Sequence, residues 1–165
     1  MNLTERLEKI KLVVLDVDGV LTDGKVWVSS SGEEMLGFDI KDGMGIARLI
    51  GAGIEVAILS ARKSGAVLHR AKALGIKKVR AGEKNKLKAL KEMVKEAGCE
   101  LEEVAYAGDD LADLEPMKAV GLAAAVGDAV PEIIEVAHLK LDKPGGRGAV
   151  RQLAEKILRQ QKKWL

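Results

Sequence analysis

The chain has 165 residues, of which 47% are hydrophobic and only 2% aromatic, and its net charge is +2. This length fits a single domain over 1–165 with an aliphatic core, and a near-neutral chain without a dense basic stretch is not typical of nucleic-acid binding. No apolar run approaches the roughly 20 residues of a membrane span, and the charged N-terminus lacks the apolar segment of a signal peptide. The single Cys99 cannot form an internal disulfide. From these features we expect a cytoplasmic protein.

Hydrophobic periodicity predicts strands and helices that alternate along the whole chain. The predicted strands are 11–16, 54–59, 77–80, 104–107, 121–126 and, at a sheet edge, 138–141. The predicted helices are 2–9, 42–52, 64–74, 85–97, 111–118, 131–137 and 150–163. This alternation indicates an α/β fold of three layers, Rossmann-like, with a mainly parallel sheet and helices on both faces. Residues 25–29 and 34–40 predict a β-hairpin that protrudes from it.

Two carboxylates, Asp16 and Asp18, follow the buried run 12–15. Side chains alternate along a strand, so we expect Asp16 and Asp18 to point to the same side. Two like charges so close together need compensation, either from a divalent cation or from a proton held by one of the pair. A nucleophile beside an acid at the end of a central strand suits phosphoryl transfer through an aspartyl-phosphate. Taken alone, Asp-x-Asp-Gly is equally typical of a turn or of a calcium-binding loop.

Two other predicted strands also end in polar groups, Ser60 after the second and Asp109-Asp110 after the fourth. Ligands of parallel sheets bind at the carboxyl ends of the strands, so we expect these residues to converge on the cleft of Asp16 and Asp18.

Four motifs in this order resemble those of the haloacid dehalogenase superfamily of phosphatases. The motifs are Asp-x-Asp-Gly-Val-Leu-Thr-Asp-Gly at 16–24, Leu-Ser-Ala-Arg at 59–62, a helix-opening Lys86, and Gly-Asp-Asp-Leu-x-Asp at 108–113. Further motifs narrow the resemblance to superfamily members that hydrolyse the phosphate ester of an eight-carbon sugar acid in lipopolysaccharide precursor synthesis. These are Gly-Glu-Glu at 32–34, Asp-Gly-Met-Gly at 42–45, Asn-Lys at 85–86 and Gly-Gly-Arg-Gly-Ala-Val-Arg at 145–151.

The resemblance implies a role for each catalytic residue. Asp16 would attack phosphorus, and Asp18 would protonate the leaving oxygen and then take a proton from water. Mg²⁺ would be held by the carboxylates of Asp16 and Asp109 and by the backbone carbonyl of Asp18. Ser60 would hydrogen-bond a phosphoryl oxygen, and Lys86 would balance the transition-state charge.

Other residues are predicted to act around this set. Asp110 and Asp113 would act on the metal mainly through waters. Without the other motifs, Asp113 would be interpreted as a surface residue of a helix. The residues predicted to bind substrate are Arg62, Asp42, Gly43, Arg80 and Arg147. Arg62 is favoured because a guanidinium grips an anion with two donors, whereas Arg147 fits equally a residue of a helix's first turn.

The stretches between the motifs leave no room for a cap domain, so the cleft of one chain should be open. Selective hydrolysis of one phosphate ester is favoured by an active site that is closed to water. We therefore expect a neighbouring subunit to act as the lid. The apolar hairpin residues Val26, Trp27 and Val28 are the expected contact, and the resemblance implies a tetramer. The alternatives are a nine-carbon, sialic-acid-like phosphate as substrate, and a catalytically silent interaction subunit of the same fold.

Overall fold

Eight strands and seven α-helices make up the computed structural model, which describes residues 1–165. The strands are β1 (Leu12–Leu15), β2 (Trp27–Val28), β3 (Glu34–Met35), β4 (Glu55–Ser60), β5 (Lys78–Ala81), β6 (Val104–Gly108), β7 (Leu122–Ala125) and β8 (Leu139–Lys140). The helices are α1 (Leu3–Lys9), α2 (Ile40–Gly51), α3 (Gly65–Leu74), α4 (Lys86–Ala97), α5 (Leu114–Ala119), α6 (Pro131–Val136) and α7 (Ala149–Gln160).

Six strands form one sheet in the order β5-β4-β1-β6-β7-β8, and every neighbouring pair is parallel. From β1 the chain moves outward on one side to β4 and β5, then crosses back to β6, β7 and β8 on the other. The strand order therefore reverses beside β1, and this reversal opens a crevice at the carboxyl ends of β1, β4 and β6.

The helices pack in two groups, as right-handed crossovers in both directions from β1 require. Helices α1 and α2 both contact α7, and α3 contacts α2, while in the second group α5 contacts both α4 and α6. The predicted three-layer α/β fold with a parallel sheet and helices around it is confirmed. Between the layers lies a core of 45 buried hydrophobic residues, nearly all aliphatic. None of the helices combines the length and apolarity needed to cross a bilayer.

Several element boundaries differ from the predicted ones, among them those of β1, α2 and the hairpin. Strand β1 ends at Leu15, so Asp16 and Asp18 lie in a turn beyond it and the alternation of a strand does not govern their directions. Helix α2 begins at Ile40 because the Asp39 carboxylate accepts a hydrogen bond from the Asp42 N–H at 2.9 Å and caps it. The hairpin strands β2 and β3 are two residues each and pair antiparallel.

Candidate active site

A cavity of about 260 Å³ opens at the carboxyl ends of the central strands. Its lining residues are Asp16, Asp18, Gly24, Ala61, Lys86, Asp109, Asp110, Ala112 and Asp113. A second cavity of similar size, about 250 Å³, lies near the start of β4, where Glu55 and Lys77 are its only charged residues. The first cavity gathers the predicted carboxylates and lysine from three separate segments, and it is therefore the candidate site.

Lys86 is the cation at the centre of this cavity. It opens α4 because the Asn85 side chain caps that helix through the Lys88 N–H, and its own side chain is 4% exposed. Its Nζ lies 2.8 Å from Asp16 Oδ1 and 2.8 Å from Asp113 Oδ1. Burial lowers the pKa of Lys86, but the charges of both carboxylates and their hydrogen bonds outweigh burial and leave that pKa above its ordinary value. The ammonium is thus charged at neutral pH.

Asp113 is completely buried, and all of its acceptor capacity is used by the protein. Its Oδ1 accepts from Lys86 Nζ at 2.8 Å and from the Tyr106 hydroxyl at 2.7 Å. Its Oδ2 accepts from the Asp109 N–H at 3.0 Å and, more weakly, from the Asp110 N–H at 3.5 Å. The geometry therefore does not favour the predicted action of Asp113 through waters, nor a surface position. It favours a carboxylate that holds Lys86 and the Asp109 loop in place.

The negative charges of Asp16 and Asp109 are not fully balanced by the positive charge of the protein around them. Burial, followed by the charge of Asp113, raises the pKa of Asp16 well above its ordinary value despite Lys86. Burial and the charges of Asp113 and Asp110 raise the pKa of Asp109 to about 7. Asp109 Oδ1 is buried without a hydrogen-bond partner. A buried acceptor with nothing to accept is costly, and a cation supplies what is missing.

These features fit a hard divalent cation. Oxygens of Asp16, Asp109 and Asp113 lie within 4.8 Å of one another. Because the Asp113 oxygens are already saturated, Asp16 and Asp109 are the residues with oxygens left to bind a metal. Carboxylate oxygens are the ligands that Mg²⁺ prefers.

Gly19 allows the turn after β1 to approach this site. Its φ is +84°, and a Cβ at this position would lie 1.8 Å from Asp109 Oδ2. Only glycine accommodates both the left-handed backbone and this contact. The turn thereby brings the Asp18 backbone beside Asp109.

Asp18 faces an arginine across the mouth of the cavity. Arg62 binds it with two donors, Nε to Oδ2 at 2.9 Å and NH2 to Oδ1 at 3.2 Å. The third guanidinium nitrogen, NH1, reaches Glu34 on β3 at 3.3 Å. Hydrogen bonding to Asp18 outweighs burial and raises the pKa of Arg62. Sequence reasoning predicted Arg62 in the site but missed its pairing with Asp18 and Glu34, since the hairpin position of Glu34 depends on tertiary structure.

Ser60 ends β4 and is 1% exposed. Its Oγ accepts a hydrogen bond from the Arg62 N–H at 3.2 Å, which leaves the hydroxyl proton free to be donated. Ser60 does not cap the next helix, because α3 begins after Ser64. Ser60 itself does not line the cavity, but its neighbour Ala61 does.

None of the five residues predicted to bind substrate lines the cavity, although Arg62 pairs with Asp18, which does. The Asp42 carboxylate is buried against the start of α7, where it accepts from Arg151 N at 2.8 Å and Gly148 N at 3.4 Å. Gly43 faces the Arg70 side chain. Arg80 pairs with Glu92 and Glu96 of α4. Arg147 is 67% exposed and lies 4.0 Å from Asp23, outside the lining residues. Asp42, Gly43 and Arg80 are thus engaged in packing or pairing outside the cavity, and their binding of substrate stays a prediction.

Comparisons with known proteins agree with this geometry. A family model for haloacid dehalogenase-like hydrolases matches residues 78–144. The chain is 41% identical to a 3-deoxy-D-manno-octulosonate 8-phosphate phosphatase of Yersinia pestis, over 98% of this chain and 87% of that protein. A crystal structure of the Moraxella catarrhalis phosphatase of the same name superposes on this chain with a TM-score of 0.96 at 38% identity. The superposition covers 98% of this chain and 92% of that one, and that structure is a complex with a magnesium ion, a phosphate ion and a KDO molecule. The cobalt-bound Haemophilus influenzae enzyme gives a TM-score of 0.94 at 41% identity, covering 96% and 93%.

Proposed function

Since the chain belongs to the haloacid dehalogenase-like hydrolases, we propose that it is a Mg²⁺-dependent phosphomonoesterase that converts 3-deoxy-D-manno-octulosonate 8-phosphate to the free sugar acid and phosphate, in lipopolysaccharide precursor synthesis. The observation that carries the proposal is the meeting of Asp16, Asp18, Lys86 and Asp109 around one cavity. The names of the similar proteins, and the KDO and phosphate bound in the Moraxella catarrhalis structure, support the substrate.

The nucleophile in this proposal is Asp16. Its Oδ1 is held by Lys86 at 2.8 Å, which leaves the other carboxylate oxygen for the attack. Attack on phosphorus breaks the ester bond and leaves the phosphoryl group on Asp16, from which water removes it. Lys86 lies where charge spreads over the phosphoryl oxygens, and the Ser60 hydroxyl donates to one of them. Mg²⁺, held by the carboxylates of Asp16 and Asp109 and the Asp18 carbonyl, would offset the repulsion between nucleophile and phosphate.

The acid and base in this proposal is Asp18. It must carry a proton when the sugar oxygen departs, and without substrate its carboxylate is paired with Arg62 at 2.9 Å. An anionic substrate offers Arg62 another partner, and its arrival would release the Asp18 carboxyl from this pair. Arg62 is therefore the residue we propose for the substrate's carboxylate.

A neighbouring subunit completes the site in this proposal. The hairpin exposes large apolar side chains, with Trp27 at 66%, Val28 at 63% and Met35 at 67% of their maximal area. Exposed apolar clusters of this kind mark contact surfaces. We propose a homo-oligomer, a tetramer, in which hairpins meet and a neighbour forms the lid that the chain itself lacks. A cytoplasmic location belongs to the same proposal and is consistent with the free thiol of Cys99.

A steady-state panel of phosphate esters tests the function. We expect kcat/KM for the eight-carbon sugar-acid phosphate to exceed that for a nine-carbon sialic-acid-like phosphate, and both to exceed that for phosphoserine. Activity should require Mg²⁺. A preference for the nine-carbon ester would overturn the substrate, similar rates on all esters would overturn the specificity, and no turnover with intact Mg²⁺ binding would indicate a silent subunit.

A further inference from the structure

The core contains one phenol, and it lies directly behind the candidate site. Tyr106 is the chain's only tyrosine, sits in the middle of β6, and is fully buried between Val14 of β1 and Ala123 of β7. The other residues of these central strands are aliphatic or glycine. A buried hydroxyl loses its hydration and needs a partner, so an aliphatic residue would serve this core equally well. The position of the hydroxyl is therefore informative.

The hydroxyl has one partner, Asp113 Oδ1, at 2.7 Å. The same oxygen accepts from Lys86 Nζ at 2.8 Å, while Lys86 also reaches Asp16 at 2.8 Å. Tyr106 and Asp16 thus lie at opposite ends of one hydrogen-bonded chain that runs through Asp113 and Lys86. Burial and the charge of Asp113 raise the pKa of Tyr106 well above its ordinary value, so the hydroxyl stays a donor.

Building on the function proposed above, we propose that Tyr106 is a positioning residue that sets how Lys86 is shared between Asp113 and the reacting groups. Two donors at one carboxylate oxygen divide its charge between them. While the Tyr106 hydroxyl donates to Asp113 Oδ1, the attraction between Asp113 and the Lys86 ammonium is weaker, and the ammonium stays close to Asp16. Without the hydroxyl, Lys86 becomes the only donor to that oxygen and moves toward Asp113. The ammonium would then lie farther from the phosphoryl oxygens that it serves.

The Tyr106→Phe variant tests this, because it removes one oxygen from the core and keeps the ring. We expect kcat for the sugar-acid phosphate to fall about tenfold with KM nearly unchanged, the pattern of an interaction lost in the transition state. The inhibition constant of vanadate, a mimic of the phosphoryl group in transfer, should rise by a similar factor. The control is Ile54→Val, just before β4, which removes a buried methyl group at the opposite edge of the sheet from the candidate site and should lower the melting temperature without changing kcat.

A kcat within about twofold of wild type in Tyr106→Phe, with only the melting temperature altered, would overturn the proposal. Because Tyr106 is the single tyrosine, uniform replacement with fluorotyrosine changes this side chain alone and keeps its hydroxyl, even if the Phe variant fails to fold. Its fluorine NMR signal should shift when Mg²⁺ and vanadate bind, and an unchanged signal at saturation contradicts the coupling. If wild type hydrolyses no ester, the proposed function fails, whereas the fluorine shift still decides whether Tyr106 is coupled to the site.

Discussion

Magnesium binding is predicted to release a proton from Asp109. Burial and the charges of Asp113 and Asp110 raise the pKa of Asp109 from 3.8 to about 7 in the metal-free protein, so near neutral pH this carboxyl holds its proton in about half of the molecules. A metal binds the ionised carboxylate. Below about pH 7 the affinity for Mg²⁺ should therefore fall about tenfold per pH unit and level off above it. The raised pKa of Asp16 acts in the same direction.

The raised pKa of Asp109 also determines whether the free energy of unfolding rises or falls with pH. The folded protein holds the Asp109 proton more tightly than the unfolded chain, so the unfolded state binds fewer protons between 3.8 and about 7. The free energy of unfolding of the metal-free protein should therefore decrease as pH rises through this window. Mg²⁺ should raise the melting temperature more at pH 8 than at pH 5, because the ionised pair is present at the higher pH.

Isothermal titration calorimetry in buffers of different ionisation enthalpy measures both the affinity and the protons released. Asp109→Asn should lose most of the affinity. Asp110→Asn removes a negative charge that helps to raise the pKa of Asp109, so the midpoint of the pH dependence should move to lower pH. An affinity for Mg²⁺ that stays constant from about pH 5 to pH 8, with no proton released, would refute the reasoning.

Substitutions at five other positions have defined outcomes. Asp16→Asn should abolish turnover and Asp18→Asn should lower kcat by about 10²–10⁴-fold in steady-state assays; near-normal turnover of the first would exclude the covalent route. Arg62→Lys loses the two-donor grip and should raise KM for the sugar-acid phosphate but not for an ester without a carboxylate; equal effects on both would contradict its role. Trp27→Ser should shift sedimentation toward the monomer and lower activity together, and a fully active monomer would exclude the lid. Asp42→Ala should reduce the free energy of unfolding in urea by about 1–2 kcal/mol, and Asp42→Asn by less, because Asp42 accepts from the start of α7; no difference between the two would contradict that capping role.

The fold could be predicted from the sequence because local patterns determine it. The buried run before Asp16, the amphipathic helix after Asn85 and the alternation of strands and helices predict a parallel sheet whose ligands bind at one edge. The convergence of Asp16, Lys86 and Asp109 follows from that topology.

The parts that sequence reasoning missed depend on contacts across the fold. The capping of α7 by Asp42 joins residues that are far apart along the chain, so the sequence offered only a motif and we assigned it to substrate. Asp113 resembles a surface residue of the predicted helix 111–118, but it is fully buried and its carboxylate bonds Lys86 of α4 and Tyr106 of β6. For Tyr106 a signal was present: a lone phenol in an apolar strand that runs directly into Gly-Asp-Asp.

The most direct test of the central claim is chemical trapping of the phosphorylated residue. The enzyme is quenched during turnover of the sugar-acid phosphate, reduced with borohydride, which converts an aspartyl-phosphate to homoserine, and its peptides are sequenced by mass spectrometry. The account predicts homoserine at position 16, dependent on both substrate and Mg²⁺. Homoserine at another position, or an unmodified Asp16 in an enzyme caught at full turnover, would contradict it.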